Sequence, residues 1–341
     1  MPSPFPNLPP DQRGTVHLLR VVSDALRDNP WADPHERDLH VWTPPGWTPD
    51  GPPLPALLVL APFSGTGEKL LARGLTEESI ATRLDRLHAQ GCPPVIAVLP
   101  DAMTSLVGSQ YVDSPGLGAY ATYVTEDVRS AVAARLPLTG RWGALGRSSG
   151  GFGALHLAMS HPGSFAAVAS HAGDMGFDLA YLGDVPAAVT GVEMLGGLDG
   201  FVSAFWSRYD LPGPAFAAMN VLCLSCAYTP DPDASPIPAR LPVDFDTGAV
   251  DLEVFDAWSA FDPVVRAADP AARDALAALD LLFLDAGTRD EYHLQRGLRR
   301  FVSRLDAHGV DFEHEEFPGG HRGTSYRYDI SIPRLARALH G

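Results

Sequence analysis

Three uninterrupted apolar runs, Leu57-Leu58-Val59-Leu60, Val95-Ile96-Ala97-Val98-Leu99 and Leu281-Leu282-Phe283-Leu284, restrict the fold more than any other feature. A strand with one solvated face alternates apolar and polar residues, so a short run with no polar member belongs to a strand buried on both faces. Between the first two runs, residues 77–90 place Ile80, Leu84 and Leu87 at helical spacing, and Gly91 follows as a C-cap. The alternation continues with a helix over 123–136 ended by Pro137, a strand over 141–145, a helix over 150–161 stopped by Pro162-Gly163, and a strand over 165–170. It closes with a helix over 291–308, a strand over 312–317 and a last helix ending near Leu339, while 16–26 and 37–43 read as two further strands ahead of the first run. Strands alternating with helices imply an α/β protein with a mostly parallel sheet flanked by helices. The rhythm breaks over 174–278, which is rich in Gly, Pro and aromatics and contains an expected hairpin over 241–254 turning at Asp246-Thr247-Gly248. The whole chain, 1–341, is expected to form one domain, with 174–278 as a cap-like insertion ahead of the strand that begins at Leu281.

Composition narrows the class of partner. The chain has 341 residues, 45% hydrophobic, enough for a large core, and its formal net charge of −16 disfavours nucleic acid and anionic membrane. Lys69 is the only lysine among 25 basic residues, a bias attributable to genome composition. No run approaches the ~18 apolar residues of a membrane span. The stretch Met1 to Pro10 has neither a basic segment nor an apolar run, so no signal peptide and a cytoplasmic location are expected. Cys223 and Cys226 have C-x-x-C spacing but no second pair and no histidine pair at zinc spacing, and with Cys92 they read as small buried hydrophobes, with no metal site.

The sequence Gly146-Arg147-Ser148-Ser149-Gly150 has the G-x-S-x-G pattern, with an apolar strand before it and a helix after it. In such a turn the serine is held in strained backbone geometry, and the flanking glycines remove side chains that would collide. Only Ser148 has glycine at both −2 and +2, so it is the expected nucleophile. A hydroxyl attacks only when a base takes its proton. The free N–H of Ser149, at a helix N-terminus, is the natural first donor to the oxyanion, and a second is expected from the loop Ala61-Pro62-Phe63-Ser64-Gly65. Pro62 has no N–H, which leaves Phe63 and Ser64.

The expected chain order of the partners is serine, acid, histidine. His314 lies within the alternating run Phe312 to Phe317 and reads as a strand residue, whereas His321 follows Pro318-Gly319-Gly320 directly after the last strand and is the expected base. Asp285 and Asp290 are candidates for the acid, with Glu291 third. Asp290 is favoured because it sits in the loop at the start of the next helix, while Asp285 ends the strand and can brace the turn. The acid would hold the histidine tautomer and stabilise the imidazolium.

The segments 146–155, His161-Pro162, Ser170-His171-Ala172-Gly173-Asp174, 285–294, 315–321 and 108–112 together resemble the esterase branch of the α/β-hydrolases that contains S-formylglutathione hydrolases, enterochelin esterases, feruloyl esterases and mycolyltransferases. The resemblance runs from about residue 37 to the end. It implies the α/β-hydrolase fold with eight strands, Ser148 as nucleophile, Asp290 as acid, His321 as base and Phe63 as the second oxyanion donor. Many members have glycine where this chain has Pro62, so both Phe63 and Ser64 stay open.

Gln110, Tyr111, His171 and Asp174 fall in loops expected near the serine and are candidate substrate contacts, with loop packing as the alternative. Trp206, Tyr209, Phe216 and Trp258 either line an acyl pocket or form the core of the insertion. The expected function is hydrolysis of a small-molecule carboxylic ester through an acyl-serine, with no metal or organic cofactor. Acyl transfer to a sugar or alcohol with the same three residues is the first alternative, and a binding module on a catalytically dead scaffold is the second.

Overall fold

The first two apolar runs pair with each other near the centre of an eight-stranded sheet, and the third lies one strand in from its far edge. In the computed structural model, which describes residues 8–74 and 77–341, the strands are β1 (Thr15–Val22), β2 (Glu36–Thr43), β3 (Leu54–Leu60), β4 (Ile96–Pro100), β5 (Leu138–Arg147), β6 (Ala167–His171), β7 (Leu281–Gly287) and β8 (Glu313–Phe317). They lie in the order β1-β2-β4-β3-β5-β6-β7-β8. The β1–β2 and β2–β4 pairs are antiparallel, and from β4 to β8 every pair is parallel. Most of the stretch Met1 to Pro10, read above as lacking a signal peptide, lies outside the described residues.

Side-chain alternation sends each buried strand into two cores. From β3, Leu57 and Val59 join the face covered by α1 (Ile80–Ala89) and the C-terminal helix Tyr328–His340. Leu58 and Leu60 point the other way, into the larger core beneath α2 (Ser149–Ser160). A strand sandwiched in this way has no solvated face, which explains its uniformly apolar sequence.

Several expectations change in detail. Strand β1 stops at Val22: after one more ladder bond, from the Ser23 N–H to the His35 carbonyl (2.8 Å), the Ser23 Oγ accepts from the Leu26 N–H (3.2 Å) and Leu26 folds back into the core. The helix after β7 starts at Leu294, not at 291. The expected hairpin keeps only its turn, where Asp244 Oδ1 accepts from the N–H groups of Asp246 and Thr247, and a single bridge joins Val243 to Val250. Nor is 174–278 irregular: it is largely helical, with Val185–Met194, Leu198–Trp206 and α3 (Gly213–Tyr228) as its longest helices. Helix α3 is buried on nearly every side, including both Cys223 and Cys226, so it carries no amphipathic stripe to reveal it. Among the described residues no single helix is long and apolar enough to cross a membrane.

Under the sheet edge, the register that sets His171 beside Asp285 builds a buried polar cluster. His171 Nδ1 donates to Asp285 Oδ1 (2.8 Å), Ser331 Oγ lies 2.8 Å from Nε2, and Arg327 Nε donates to Asp285 Oδ2 (2.7 Å). Asp285→Ala would strand Arg327, which is 6% exposed, with only the half-buried Glu315 as counter-charge. A loss of about 3 kcal/mol in unfolding free energy is expected in urea titrations, the low end for a broken buried pair. A loss below ~1 kcal/mol would show the cluster to be dispensable.

Candidate active site

Every loop that builds the site leaves the carboxyl edge of the parallel strands, the side on which such sheets bind ligands. Ser148 follows β5 and precedes α2, with φ 57° and ψ −129°. The two glycines have separate reasons to be there. A Cβ on Gly146 would run into the backbone of Gly150, and a Cβ on Gly150 would run into the carbonyl of Leu60. The turn can therefore close only without those side chains, and it presents Ser148 Oγ to a cavity.

The sequence-predicted partners meet there. His321 Nε2 lies 3.1 Å from Ser148 Oγ, and His321 Nδ1 donates to Asp290 Oδ2 at 2.8 Å. Asp290 is 2% exposed and also accepts from the Tyr292 N–H (2.9 Å). Both acid and base depend on Gly287, where a Cβ would strike the carbonyls of Gly319 and Gly320, so the loops after β7 and β8 pack backbone to backbone. Glu291, the third candidate acid, accepts from the His321 backbone N–H (2.6 Å), not from its ring, and that hydrogen bond holds its carboxyl below the usual range. The Tyr292 ring packs edge-on against the His321 imidazole, with ring centroids 4.9 Å apart.

The structure separates the two oxyanion candidates. The Ser64 N–H donates to the Val107 carbonyl (2.9 Å) and Gly65 N–H to that of Pro62 (2.8 Å), so Ser64 has no free N–H to offer. Among the described residues the Phe63 N–H makes no hydrogen bond, and neither does that of Ser149 in the first turn of α2. Ser64 is therefore corrected from donor to loop-holding residue, and Pro62 serves the same turn through its carbonyl.

Of the four candidate substrate contacts, three turn away from the cavity. His171 is consumed by Asp285 and Ser331 beneath the sheet edge and is 2% exposed. Tyr111 donates its hydroxyl to the Ala61 carbonyl (2.8 Å), and its ring fills the space that a side chain at Gly153 would need. Gln110, 1% exposed, lies behind Asp174 and borders only a crevice of about 10 Å³ beneath Phe63 and Ser149. Asp174 does line the cavity. Its Oδ1 is 3.4 Å from Ser148 Oγ, and its Oδ2 accepts from Tyr181 Oη (2.9 Å), Ser149 Oγ (3.0 Å) and Gln110 Nε2 (3.3 Å). Burial pushes the Asp174 carboxyl above its ordinary pKa, opposed by these donors and by the charge His321 can carry.

The cavity holds about 800 Å³, within the range of sites that enclose small molecules. Part of its wall comes from 174–278 through Tyr181, Asp184, Phe216 and Asn220. Of the four aromatics considered for this wall, only Phe216 reaches it. Trp258 is 1% exposed in the core, Trp206 is tied to the Ser105 carbonyl (2.7 Å), and Tyr209 is fully exposed. Tyr181 and Asp184 had no signal in the sequence, because nothing local marks the residues after the short helix Phe177–Ala180 as cavity wall.

Known structures share this architecture. A ferulic acid esterase superposes with a TM-score of 0.58 at 18% identity, covering 96% of this chain and 99% of that one. An S-formylglutathione hydrolase from Agrobacterium tumefaciens gives 0.56 at 16% identity, covering 98% of each chain. MPT51 (FbpC1) of Mycobacterium tuberculosis gives 0.55 at 15%, covering 95% of this chain and 99% of that one. These likenesses establish the α/β-hydrolase fold. No curated protein matches the sequence. The family described as "Putative esterase" matches residues 34–331, and the chain belongs to that family of ester-hydrolysing enzymes.

Proposed function

We propose that the protein is a serine carboxylesterase working through an acyl-serine, with Ser148 as nucleophile, His321 as general base and acid, and Asp290 as the group that orients His321. The observation that carries this reading is the unbroken path from Ser148 Oγ through His321 Nε2 (3.1 Å) and Nδ1 to the buried Asp290 carboxylate (2.8 Å). With Nδ1–H committed to Asp290, Nε2 has its lone pair free for the serine proton. As Oγ bonds to the ester carbon, the proton passes to His321 and the carbonyl oxygen gains charge within reach of the Ser149 and Phe63 N–H groups. His321 then protonates the departing alkoxide oxygen, the carbon–oxygen bond to the alcohol breaks, and water repeats the sequence to release the acid. We assign the segment 174–278 to covering the substrate, since it contributes part of the cavity wall.

Two measurements test this. A fluorophosphonate should modify the protein once per chain, with the mass increase on the peptide that contains Ser148. With p-nitrophenyl acetate, rapid mixing should show a burst of p-nitrophenol of about one equivalent before the steady state. Labelling at any other residue, or no labelling at all, would overturn the assignment.

A further inference from the structure

The two carboxylate oxygens of Asp174 are unequally supplied with donors. Three donors converge on Oδ2, whereas Oδ1 has only Ser148 Oγ at 3.4 Å. The single Oγ proton is directed to His321 in the reacting arrangement, so Oδ1 is then left with no donor. The neighbouring Gln110 Oε1 is also buried, with no hydrogen-bond partner among the described residues. Among the described residues no cation lies within ion-pair distance of Asp174, although it is only 6% exposed. The other buried charged groups of the cavity wall, Glu78 and Arg83, are paired with each other and with Arg86 and Asp329, and Arg147 faces Glu77. A buried carboxylate without a counter-ion is costly, and beside a developing oxyanion it also repels the charge that the reaction creates.

Resting on the esterase reading above, we propose that Asp174 binds an ammonium group on the carbon next to the scissile carbonyl, which makes the substrate an ester of an α-amino acid. Once the ester carbon is bonded to Oγ, a substituent on the α-carbon is three bonds from Oγ. Asp174 Oδ1 is 3.4 Å from the same atom, so a substituent directed to that side meets it. An ammonium there fills the vacant lone pairs and supplies the missing cation, and its charge lies beside the oxyanion it helps to stabilise. The bonds made and broken are those of ordinary ester hydrolysis, and the ammonium keeps its protons throughout.

Ethyl esters of alanine, lactate and isobutyrate separate this from its rivals, since they place an ammonium, a hydroxyl or a methyl at one position on the same frame. Acid release would be followed in a pH-stat with wild type and Asp174→Asn, and both preparations titrated with fluorophosphonate. Wild type should favour alanine ethyl ester over the isobutyrate ester by about 10- to 100-fold in kcat/KM, as a charge-assisted hydrogen bond requires. In Asp174→Asn that ratio should fall to within a few-fold of unity. A wild-type ratio near one, a lactate ester preferred over alanine, or a preference that survives Asp174→Asn would overturn the proposal. The wild-type ratio decides even where the variant does not fold. Full fluorophosphonate labelling with no alanine preference rejects the role of Asp174 alone, whereas absent labelling rejects the esterase reading.

Discussion

Replacing Ser148 with alanine should lower kcat/KM for p-nitrophenyl acetate by about 10⁵- to 10⁶-fold, to what the free N–H groups and binding alone can sustain. The residue is half-buried in a turn whose shape is set by Gly146 and Gly150, so losing Oγ removes only its contacts with His321 and Asp174 and little packing. The thermal midpoint should therefore stay within a few degrees of wild type. The substitution should also relieve no strain, because alanine retains a Cβ at φ 57°. Steady-state rates with active-site titration and a melting curve on the same preparation test both halves. Retention of more than about one part in a thousand of the activity, beyond contaminating wild type, would show that another nucleophile operates.

Asp290→Asn should cut kcat about 10⁴-fold, and slow fluorophosphonate labelling with it, while leaving folding intact. The amide is isosteric and can still accept from the Tyr292 N–H, so the loop keeps its shape. Its NH2 group, however, would face Nδ1 as a donor. The imidazole would then carry its proton on Nε2 and could no longer accept from Ser148. Asp285→Asn, five residues earlier, makes the contrast: its partners are His171 and Arg327 beneath the sheet edge, so it should cost stability more than rate. If the two variants exchanged phenotypes, the acid would be Asp285 and the reading of both loops would be reversed.

The sheet was legible because a strand buried on both faces must be apolar throughout, and Leu57 to Leu60 carries that signature locally. The elbow was legible for the same reason: Gly146 and Gly150 are required by atoms only a few residues or one strand away. Chain order and the Gly-rich turn before His321 pointed to the histidine and aspartate that the structure sets next to Ser148. What stayed hidden depends on distant partners. That Ser64 spends its N–H on Val107 is a matter of two loops meeting, and no local pattern records it. His171 belongs to a segment that resembles the family, yet the β6–β7 register turns it down onto Asp285. The longest helix of 174–278, Gly213–Tyr228, escaped notice because a helix apolar all round has no period to detect, and it opens on Gly213-Pro214, residues that read as a turn.

The seating of Gly150 on the carbonyl of Leu60 has a consequence for how such an enzyme could be remodelled. Ser149 and Phe63, one on each side of that contact, cannot drift independently, since the first is carried by the segment that leans on β3 and the second by the loop that β3 extends into. Residues 60–63 and 146–150 therefore form one heritable block, to be grafted or exchanged only together. The segment 174–278 is tied to that block by hydrogen bonds through the Asp174 side chain, while its other wall residues, such as Asp184, Phe216 and Asn220, are positions where new specificities can be written with the block unchanged.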